Sequence, residues 1–389
     1  MERADIIVVG RGLMGTACAR HLAEAGCDVV LVGPDEPTDP AHHKGPFGSF
    51  HDAGRITRAI AEDAVWSRLA TRSIARYRDL ERRSGIAFYT DSGAVMAGPQ
   101  TGPMAGFAQD FLDCAARLGL RHARLTGNDL AQRFDCFSMP KGSLGAFDPL
   151  GGVIDPRGMR RAEETLAQAA GARVIPTHVT ARNGAVLTLA TGAALAAGHV
   201  VLAMGGWAGV DPMSSGRPAM RVYQRSVLLA EIDPDEAARL AGMPSLIYVP
   251  QGARTDLYLL PPIRYPDGRL YLKIGGEETS PEALDTAALN AWFKTKGSAT
   301  AGAVLEAELR MLMPDLRIMR TTTAACAVSF TATGHPYIGR LDANTTLLTG
   351  GNGAAAKSAD ELGRLGAVAA LGGAVAAEGL GTDFAPMFA

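Results

Sequence analysis

The stretch Asp5-Ile-Ile-Val-Val-Gly10 is apolar without interruption, and a run lacking polar alternation predicts a parallel strand buried on both faces. Gly10-Arg-Gly12-Leu-Met-Gly15 follows at once. A helical pattern then runs to Ala25, with a stop at Gly26 and a second apolar strand from Asp28 to Val32. Strand, glycine turn, helix and strand within roughly 30 residues form a βαβ unit, the context in which the glycine pattern predicts dinucleotide binding. Gly10 permits the tight turn, Gly12 lets a pyrophosphate approach the backbone, and Gly15 lets helix and strand pack closely. Leu13 and Met14 open the helix, whose free N–H groups and dipole favour an anion. An acidic residue at the end of the second strand normally holds the ribose hydroxyls. Gly33 stands there instead, leaving Asp35 or Glu36 to take that contact.

Further along, residues 59–83 and 104–118 read as helices, and Gly151-Gly-Val-Ile-Asp155-Pro leads into another near 157–170. His199-Val-Val-Leu-Ala-Met-Gly205-Gly-Trp207 is a buried strand ending in a glycine turn. Residues 221–231 and 256–275 read as antiparallel strands, with Tyr265-Pro-Asp-Gly268 as a turn between strands. Thr346-Leu-Leu-Thr-Gly350-Gly-Asn-Gly353 returns to the strand-into-glycine-loop style, followed by a helix from about Ser358. The expected fold class is α/β (α+β overall). A discontinuous Rossmann-like domain is expected from residues 1–85, 146–215 and 326–389, with a second, antiparallel-sheet domain from 86–145 and 216–325.

Composition narrows the function classes. The 389 residues carry 38 Lys+Arg against 40 Asp+Glu, and a net charge of −2 argues against nucleic-acid or anionic-membrane partners. The five cysteines include no CxxC pair, which argues against a disulfide framework or a thiolate metal site. His42-His43 has no carboxylate at ligand spacing and reads as a loop, so no metal is expected. The N-terminus enters a strand without a signal-peptide pattern, and the Gly- and Ala-rich run Leu365–Ala377 suits a packed helix better than a membrane span. A cytoplasmic location is the expectation.

Seven segments in order carry a resemblance to a known family. They are Gly10-x-Gly12-x-x-Gly15; Ser49-Phe-His-Asp-Ala-Gly-Arg55-Ile-Thr-Arg58; Gly152-Val-Ile-Asp155-Pro; Met204-Gly-Gly-Trp207; Leu272-Lys273-Ile-Gly275; Cys326-Ala-Val-Ser-Phe-Thr331-x-x-x-His335; and Gly350-Gly-Asn-Gly353-x-x-x-Lys357. Along almost its whole length the chain resembles the D-amino-acid-oxidase superfamily of flavoproteins, within it the monomeric sarcosine oxidase group. The resemblance implies an FAD enzyme that oxidises the C–N bond of a small, usually N-substituted amino acid to an imine, with dioxygen reduced to hydrogen peroxide. The electron chemistry would belong to the flavin, and the protein would supply orientation and fixed charge. Gly351, Gly353, Ser49 and His51 join the glycine turn as expected cofactor contacts.

By themselves Arg55 and Arg58, three apart, would share one face of a helical turn as a solvated basic edge. The resemblance makes Arg58 a fork for the substrate carboxylate and places Arg55 beside the flavin ring. Lys357, otherwise a surface lysine at a helix start, becomes the second cation on that carboxylate, at a helix end that also favours charge on the reduced flavin. Lys273 would ordinarily be an outer-face strand residue, with Tyr271 and Gly275 on its side and Leu272 and Ile274 opposite. In the family it stabilises the charge formed as dioxygen is reduced, which favours an oxidase. Glu277 stands where the sarcosine-type pattern has histidine, implying a bulkier, more polar or more cationic substrate. Tyr258 reads equally as pocket wall or ordinary core, and His335 as structural.

Cys326 would ordinarily be a buried small hydrophobe. It occupies the position where sarcosine-type oxidases bind FAD covalently through a thioether, with Val328 and Ser329 replacing the pattern's tyrosine and threonine. Positive charge from Arg55 or His51 would favour the thiolate. The expected partners are a small amine carrying a carboxylate, and dioxygen, with the chain a monomer or homodimer. The alternatives are an FAD-dependent dehydrogenase of an amino or hydroxy acid that passes electrons to a carrier, a non-enzymatic flavoprotein subunit, and an NAD-linked enzyme. The subunit reading is disfavoured by Lys273 and Cys326 occurring in one chain, and the NAD reading by the Gly350–Lys357 return.

Overall fold

The computed structural model describes residues 2–214, 216–276 and 280–389, so the expectation for Glu277 lies outside the described residues. The N-terminal apolar run forms strand β1 (Glu2–Val9) near the middle of an eight-stranded sheet. The sheet order is β10 (Val179–Asn183), β11 (Val186–Leu189), β12 (Ala194–Leu202), β1, β2 (Val29–Val32) and β9 (Arg173–Ile175). Strand β19 (Thr345–Thr349) also pairs with β12 and carries β18 (Tyr337–Asp342) beyond it. β1 runs parallel to both β12 and β2. Ile6 and Val8 face a core shared with helices α1 (Leu13–Glu24) and α9 (Ala359–Ala370), while Ile7 and Val9 pack with Met220, Val222 and Phe293 on the other side. Burial on both faces is why the run has no polar alternation.

Gly10 (φ +111°) makes the turn out of β1, and a Cβ on Gly15 would lie 1.8 Å from the Gly10 carbonyl oxygen. That contact fixes how closely α1 crosses the strand. Thr16 donates its hydroxyl to the Gly12 carbonyl at 2.9 Å. Arg20, 3% exposed, bridges Glu163 on α5 (Pro156–Ala169) and Asp360 on α9, each at 2.5 Å. One buried guanidinium thus cross-links three of the helices backing the sheet.

The second eight-stranded sheet has the order β17 (Arg320–Thr331), β13 (Met220–Ile232), β16 (Leu270–Gly275), β15 (Leu257–Arg264), β14 (Ser245–Tyr248), β5 (Ala94–Pro99), β7 (Ser143–Asp148) and β6 (Ala123–Thr126). It is antiparallel except at β14–β5. Helix α3 (Phe107–Arg117) packs on β5 and β7, and α8 (Ala299–Leu312) lies against β13 and β17. Shorter helices are α4 (Gly127–Arg133), α6 (Pro234–Arg239) and α7 (Thr286–Phe293). Among the described residues no helix is long and apolar enough to cross a membrane.

A three-stranded sheet of β3 (Arg55–Thr57), β8 (Gly152–Ile154) and β4 (Tyr89–Thr90) lies between these layers. Here the sequence expectation of a helix over 59–83 needs correction. Helix α2 spans Ala64–Ser84, capped by Asp63, whose side chain accepts from the Trp66 N–H. Residues 59 and 60 are held instead by buried Asp148, whose carboxylate accepts their backbone N–H groups at 2.6 and 3.0 Å. Arg55 therefore lies on a strand and Arg58 in the turn after it, so the two arginines do not share a helical face.

Candidate active site

One cavity of about 1140 Å³ runs between the two large sheets. Gly10, Gly12, Leu13, Met14, Ser49, His51, Arg55, Cys326, Gly351 and Gly353 line it, as do Arg58, Lys357 and Tyr258. Gly15 lies beneath it as a packing residue.

FAD fits what these residues offer. Helix α1 has Gly12 at its N-cap, with no side-chain cap and no acidic residue in its first turn, so its N–H groups are open to a pyrophosphate. His51 lines the same cavity between the rings of Phe47 and Phe50. Its Nδ1 is buried without a hydrogen-bond partner among the described residues. Burial lowers the imidazole pKa to about 4, which makes His51 neutral and leaves Arg55 as the positive group beside Cys326. The Arg55 Nη2 donates to Cys326 Sγ at 3.8 Å and to the Ser49 carbonyl at 2.5 Å.

At the ribose end the missing acid has a steric reason. A Cβ on Gly33 would lie 2.3 Å from the Arg11 Cβ, because the Arg11 side chain passes there. Arg11 pairs with Asp35 and, through two nitrogens, with Glu164; Glu36 pairs with Arg157. Both carboxylates that sequence offered for the ribose are thus engaged by arginines.

Lys273 is fully buried rather than an outer-face residue, and it does not line the cavity. Its Nζ donates to Asp52 Oδ2 at 2.5 Å and to the Gly54 carbonyl at 2.8 Å. Asp52 also accepts from Arg55, from the Tyr265 hydroxyl at 2.8 Å and from the Ala53 N–H at 2.7 Å. Burial, reinforced by the Arg55 guanidinium, pushes the Lys273 ammonium pKa well down, and the Asp52 carboxylate is the opposing charge in direct contact. Asp52 lies inside a motif that sequence reading singled out, yet nothing in its spacing marked it.

Arg58 and Lys357 form the cationic end. Arg58 Nη1 donates to the Ile60 carbonyl at 2.5 Å, and the guanidinium lies 5.0 Å from the centre of the Phe111 ring. Lys357, 3% exposed, makes a long 3.4 Å bond to the Ala354 carbonyl, and its ammonium lies 5.2 Å from the centre of the Trp66 ring. Its own carbonyl accepts the buried Tyr77 hydroxyl at 2.6 Å, which fixes the start of α9. Burial first, then Arg58, depresses the Lys357 pKa, which places the two cations within electrostatic reach of each other. Neither forms a salt bridge among the described residues.

Sequence reading missed two cavity-lining carboxylates in this region, Glu62 and Asp256. Glu62 is exposed and Asp256 half-buried, and partial desolvation moves the pKa of both groups upward. The only sequence signals were positional: Glu62 precedes the cap of α2, and Asp256 precedes β15. Tyr258 is a pocket wall, with the Lys273 Nζ 5.6 Å from its ring centre. His335 Nε2 pairs with Asp63 at 3.3 Å, which ties the post-strand loop to α2. His42 contacts Asp39 near the surface, and no metal-binding cluster occurs among the described residues.

Comparisons with known proteins bear on the family and the fold. The chain is 33% identical over 172 residues to monomeric sarcosine oxidase of Streptomyces avermitilis, covering 44% of this chain and 42% of that protein. It is 29% identical over 209 residues to the same-named enzyme of Bacillus sp. (strain B-0618), covering 52% and 51%. These matches span about half the length of each relative or less. In structure the chain resembles NikD, an amino acid oxidase of nikkomycin biosynthesis, with TM-score 0.74, 23% identity, and coverage of 100% and 98%. Glycine oxidase from Geobacillus kaustophilus superposes with TM-score 0.73 at 18% identity, over 96% of each chain. A family model described as FAD dependent oxidoreductase (DAO) matches residues 5–368, so the chain belongs to the DAO family of FAD-dependent oxidoreductases.

Proposed function

We propose that this protein oxidises the C–N bond of a small, N-substituted amino acid to an imine, with dioxygen as the electron acceptor and hydrogen peroxide as product. The observation that carries the reading is that half-buried Arg58 and buried Lys357 line the same cavity as the open glycine turn and Cys326. Two cations without a salt-bridge partner in a desolvated space favour an anion, and a planar carboxylate suits the guanidinium fork. FAD, when bound, supplies a two-electron acceptor that dioxygen can reoxidise.

The chain's own residues would perform the rest. Arg58 and Lys357 hold the carboxylate and so fix which carbon faces the redox centre. Asp148 keeps the 59–60 turn in place and thereby aims Arg58, while Tyr77 does the same for Lys357 through its carbonyl. Trp66, Ile56 and Tyr258 supply apolar wall that excludes water from the reacting amine. Cys326, on β17 with Arg55 against its sulfur, would hold FAD by a thioether.

A second reading, an FAD-dependent dehydrogenase of an amino or hydroxy acid that passes electrons to a carrier, is favoured by one observation: Lys273 is tied to Asp52 and Gly54 outside the cavity. Purified protein should be tested against N-methyl, cyclic, and D- and L-amino acids, with peroxide measured under air and flavin bleaching measured anaerobically. Peroxide formed in proportion to substrate supports the oxidase. Bleaching that only a dye or quinone reverses supports the dehydrogenase, and no bleaching by any amino acid removes the amine reading.

A further inference from the structure

An enclosed cation is ordinarily found with a carboxylate. Arg58 and Lys357 are found with aromatic rings. The Arg58 guanidinium lies over Phe111, 5.0 Å from its centre, and the Lys357 ammonium lies over Trp66 at 5.2 Å. Both rings are buried, and among the described residues neither cation forms a salt bridge. Elsewhere a ring accompanies a carboxylate without replacing it. Lys273 lies 5.6 Å from the centre of Tyr258 and pairs with Asp52, and Arg78 lies 4.5 Å from the centre of Tyr89 and pairs with Glu81.

The two rings are held without help from the cations. Asp63 accepts the Trp66 backbone N–H at 3.0 Å, and the indole Nε1 donates to the Gly334 carbonyl at 3.0 Å, so Trp66 is fixed at both ends. Phe111, on α3, packs edge-on against Phe107 with ring centres 5.1 Å apart, in a cluster that includes Ile60. Trp66 lines the cavity, whereas Phe111 stands behind Arg58 and does not.

A ring and a carboxylate act differently on a binding cation. A carboxylate neutralises the charge and takes its N–H donors, so an incoming ligand carboxylate has to displace it. The negative face of a ring stabilises the charge and leaves most of the donors open. Arg58 commits one nitrogen to the Ile60 carbonyl, and Lys357 makes only its long bond to the Ala354 carbonyl.

We propose that Trp66 and Phe111 are positioning residues of the anion site, which keep the Lys357 ammonium and the Arg58 guanidinium charged and open so that the cavity selects a carboxylate over a neutral group of the same shape. This rests on the amino-acid reading above and assigns the selectivity of that site to two rings. Lys357 is the member that titrates. Burial and then Arg58 lower its pKa, Asp63, Glu62 and Asp148 oppose that fall, and the Trp66 face adds to the opposition. The Tyr77 hydroxyl on the Lys357 carbonyl is pushed up by burial and keeps its proton. Lys357 therefore loses its charge as pH rises, and without the ring it loses it at lower pH.

The test is calorimetric binding of propanoate and of propanamide, its neutral counterpart, to the holoenzyme across roughly pH 6 to 10. The natural protein should prefer the carboxylate, with that preference falling on an alkaline limb. Trp66→Leu should cut the preference about 5–30-fold and move the limb down by about one pH unit. Trp66→Phe, which keeps a ring but not the indole bond to Gly334, should recover most of both. Phe111→Leu tests the other pair independently; it should cut the preference by a similar factor and leave the limb in place, because a guanidinium does not titrate there. Equal losses in Trp66→Leu and Trp66→Phe would trace the effect to the indole hydrogen bond and overturn the proposal. So would an unmoved limb in Trp66→Leu, or propanamide binding that weakens in step with propanoate. If the natural protein binds propanoate no better than propanamide, the carboxylate reading itself fails and this inference falls with it. A natural preference that neither leucine variant reduces sinks only the inference.

Discussion

Replacing Arg58 by alanine tests the reading most directly. One Arg58 nitrogen is committed to the Ile60 carbonyl, leaving the remainder of the fork for a ligand, and the group is enclosed beside Lys357. A hydrogen bond to a charged group in such a place contributes about 1.5–3 kcal/mol. Removing Arg58 also leaves Glu62 and Asp256 without their main opposing charge, so they would repel the incoming carboxylate. The combined loss should be about 2–4 kcal/mol, or roughly 30–1000-fold in kcat/KM for flavin reduction. Lys357→Met should fall in the same range, and Arg58→Lys should lose less than Arg58→Ala because it keeps the charge but not the fork. Flavin content should stay at the wild-type level in all three, since the dinucleotide end of the cavity is untouched. The assay is anaerobic stopped-flow reduction with the best substrate from the screen. If kcat/KM stays within threefold in both Arg58→Ala and Lys357→Met, these cations do not hold the substrate.

Three further outcomes are expected. Acid-precipitated, washed protein should stay yellow and show a mass gain of one FAD, and Cys326→Ala should lose both properties; free FAD in the wild-type supernatant would refute the thioether. Lys273→Met should slow reoxidation by dioxygen far more than anaerobic reduction, and Asp52→Asn should make reoxidation fail at lower pH than in wild type, because the ammonium loses its contact carboxylate and gives up its proton more readily; equal loss in both half-reactions would make Lys273 a structural residue. His51 titrates at about 4 in the folded chain against about 6.5 unfolded, so as pH falls through that interval the unfolded state takes up the proton first and stability declines. Urea unfolding at pH 7.5 and pH 4.5 should therefore show less acid destabilisation in His51→Asn than in wild type, by up to roughly 3 kcal/mol; identical pH dependence would show that this imidazole is not held neutral by the fold.

The nucleotide-binding half of the site was legible because its chemistry is local. The turn Gly10–Gly15, the apolar run before it and the return Gly350–Gly353 are contiguous in sequence, and each obeys backbone rules that a sequence displays. The strands at β13, β15, β16 and β19 were legible for the same reason. The helix start at Ala64 was misjudged because Asp148, far away in the chain, captures the N–H groups of residues 59 and 60. The state of Lys273 was hidden likewise: alternation places it on a face, but only the fold brings Asp52 against it and closes that face from solvent. Glu62 and Asp256 belong to no motif, and their meeting in one cavity follows from the packing of two sheets. Tertiary charge placement is the part that local pattern does not encode.

The cavity lies beside a core shared by the two large sheets, where Ile7 and Val9 of β1 pack with Met220 and Val222 of β13, with the glycine turn on one sheet and Cys326 on the other. A group bound there touches both halves at once, so its binding free energy is also a coupling between their stabilities. Joined to β17 by a covalent bond, that coupling would no longer depend on the concentration of free FAD. The holoprotein would then resist unfolding further in a layer that already joins the two sheets, and the flavin-free chain would unfold at lower denaturant. Cofactor insertion would in this sense add a second, covalent tie across a seam that side-chain packing already closes.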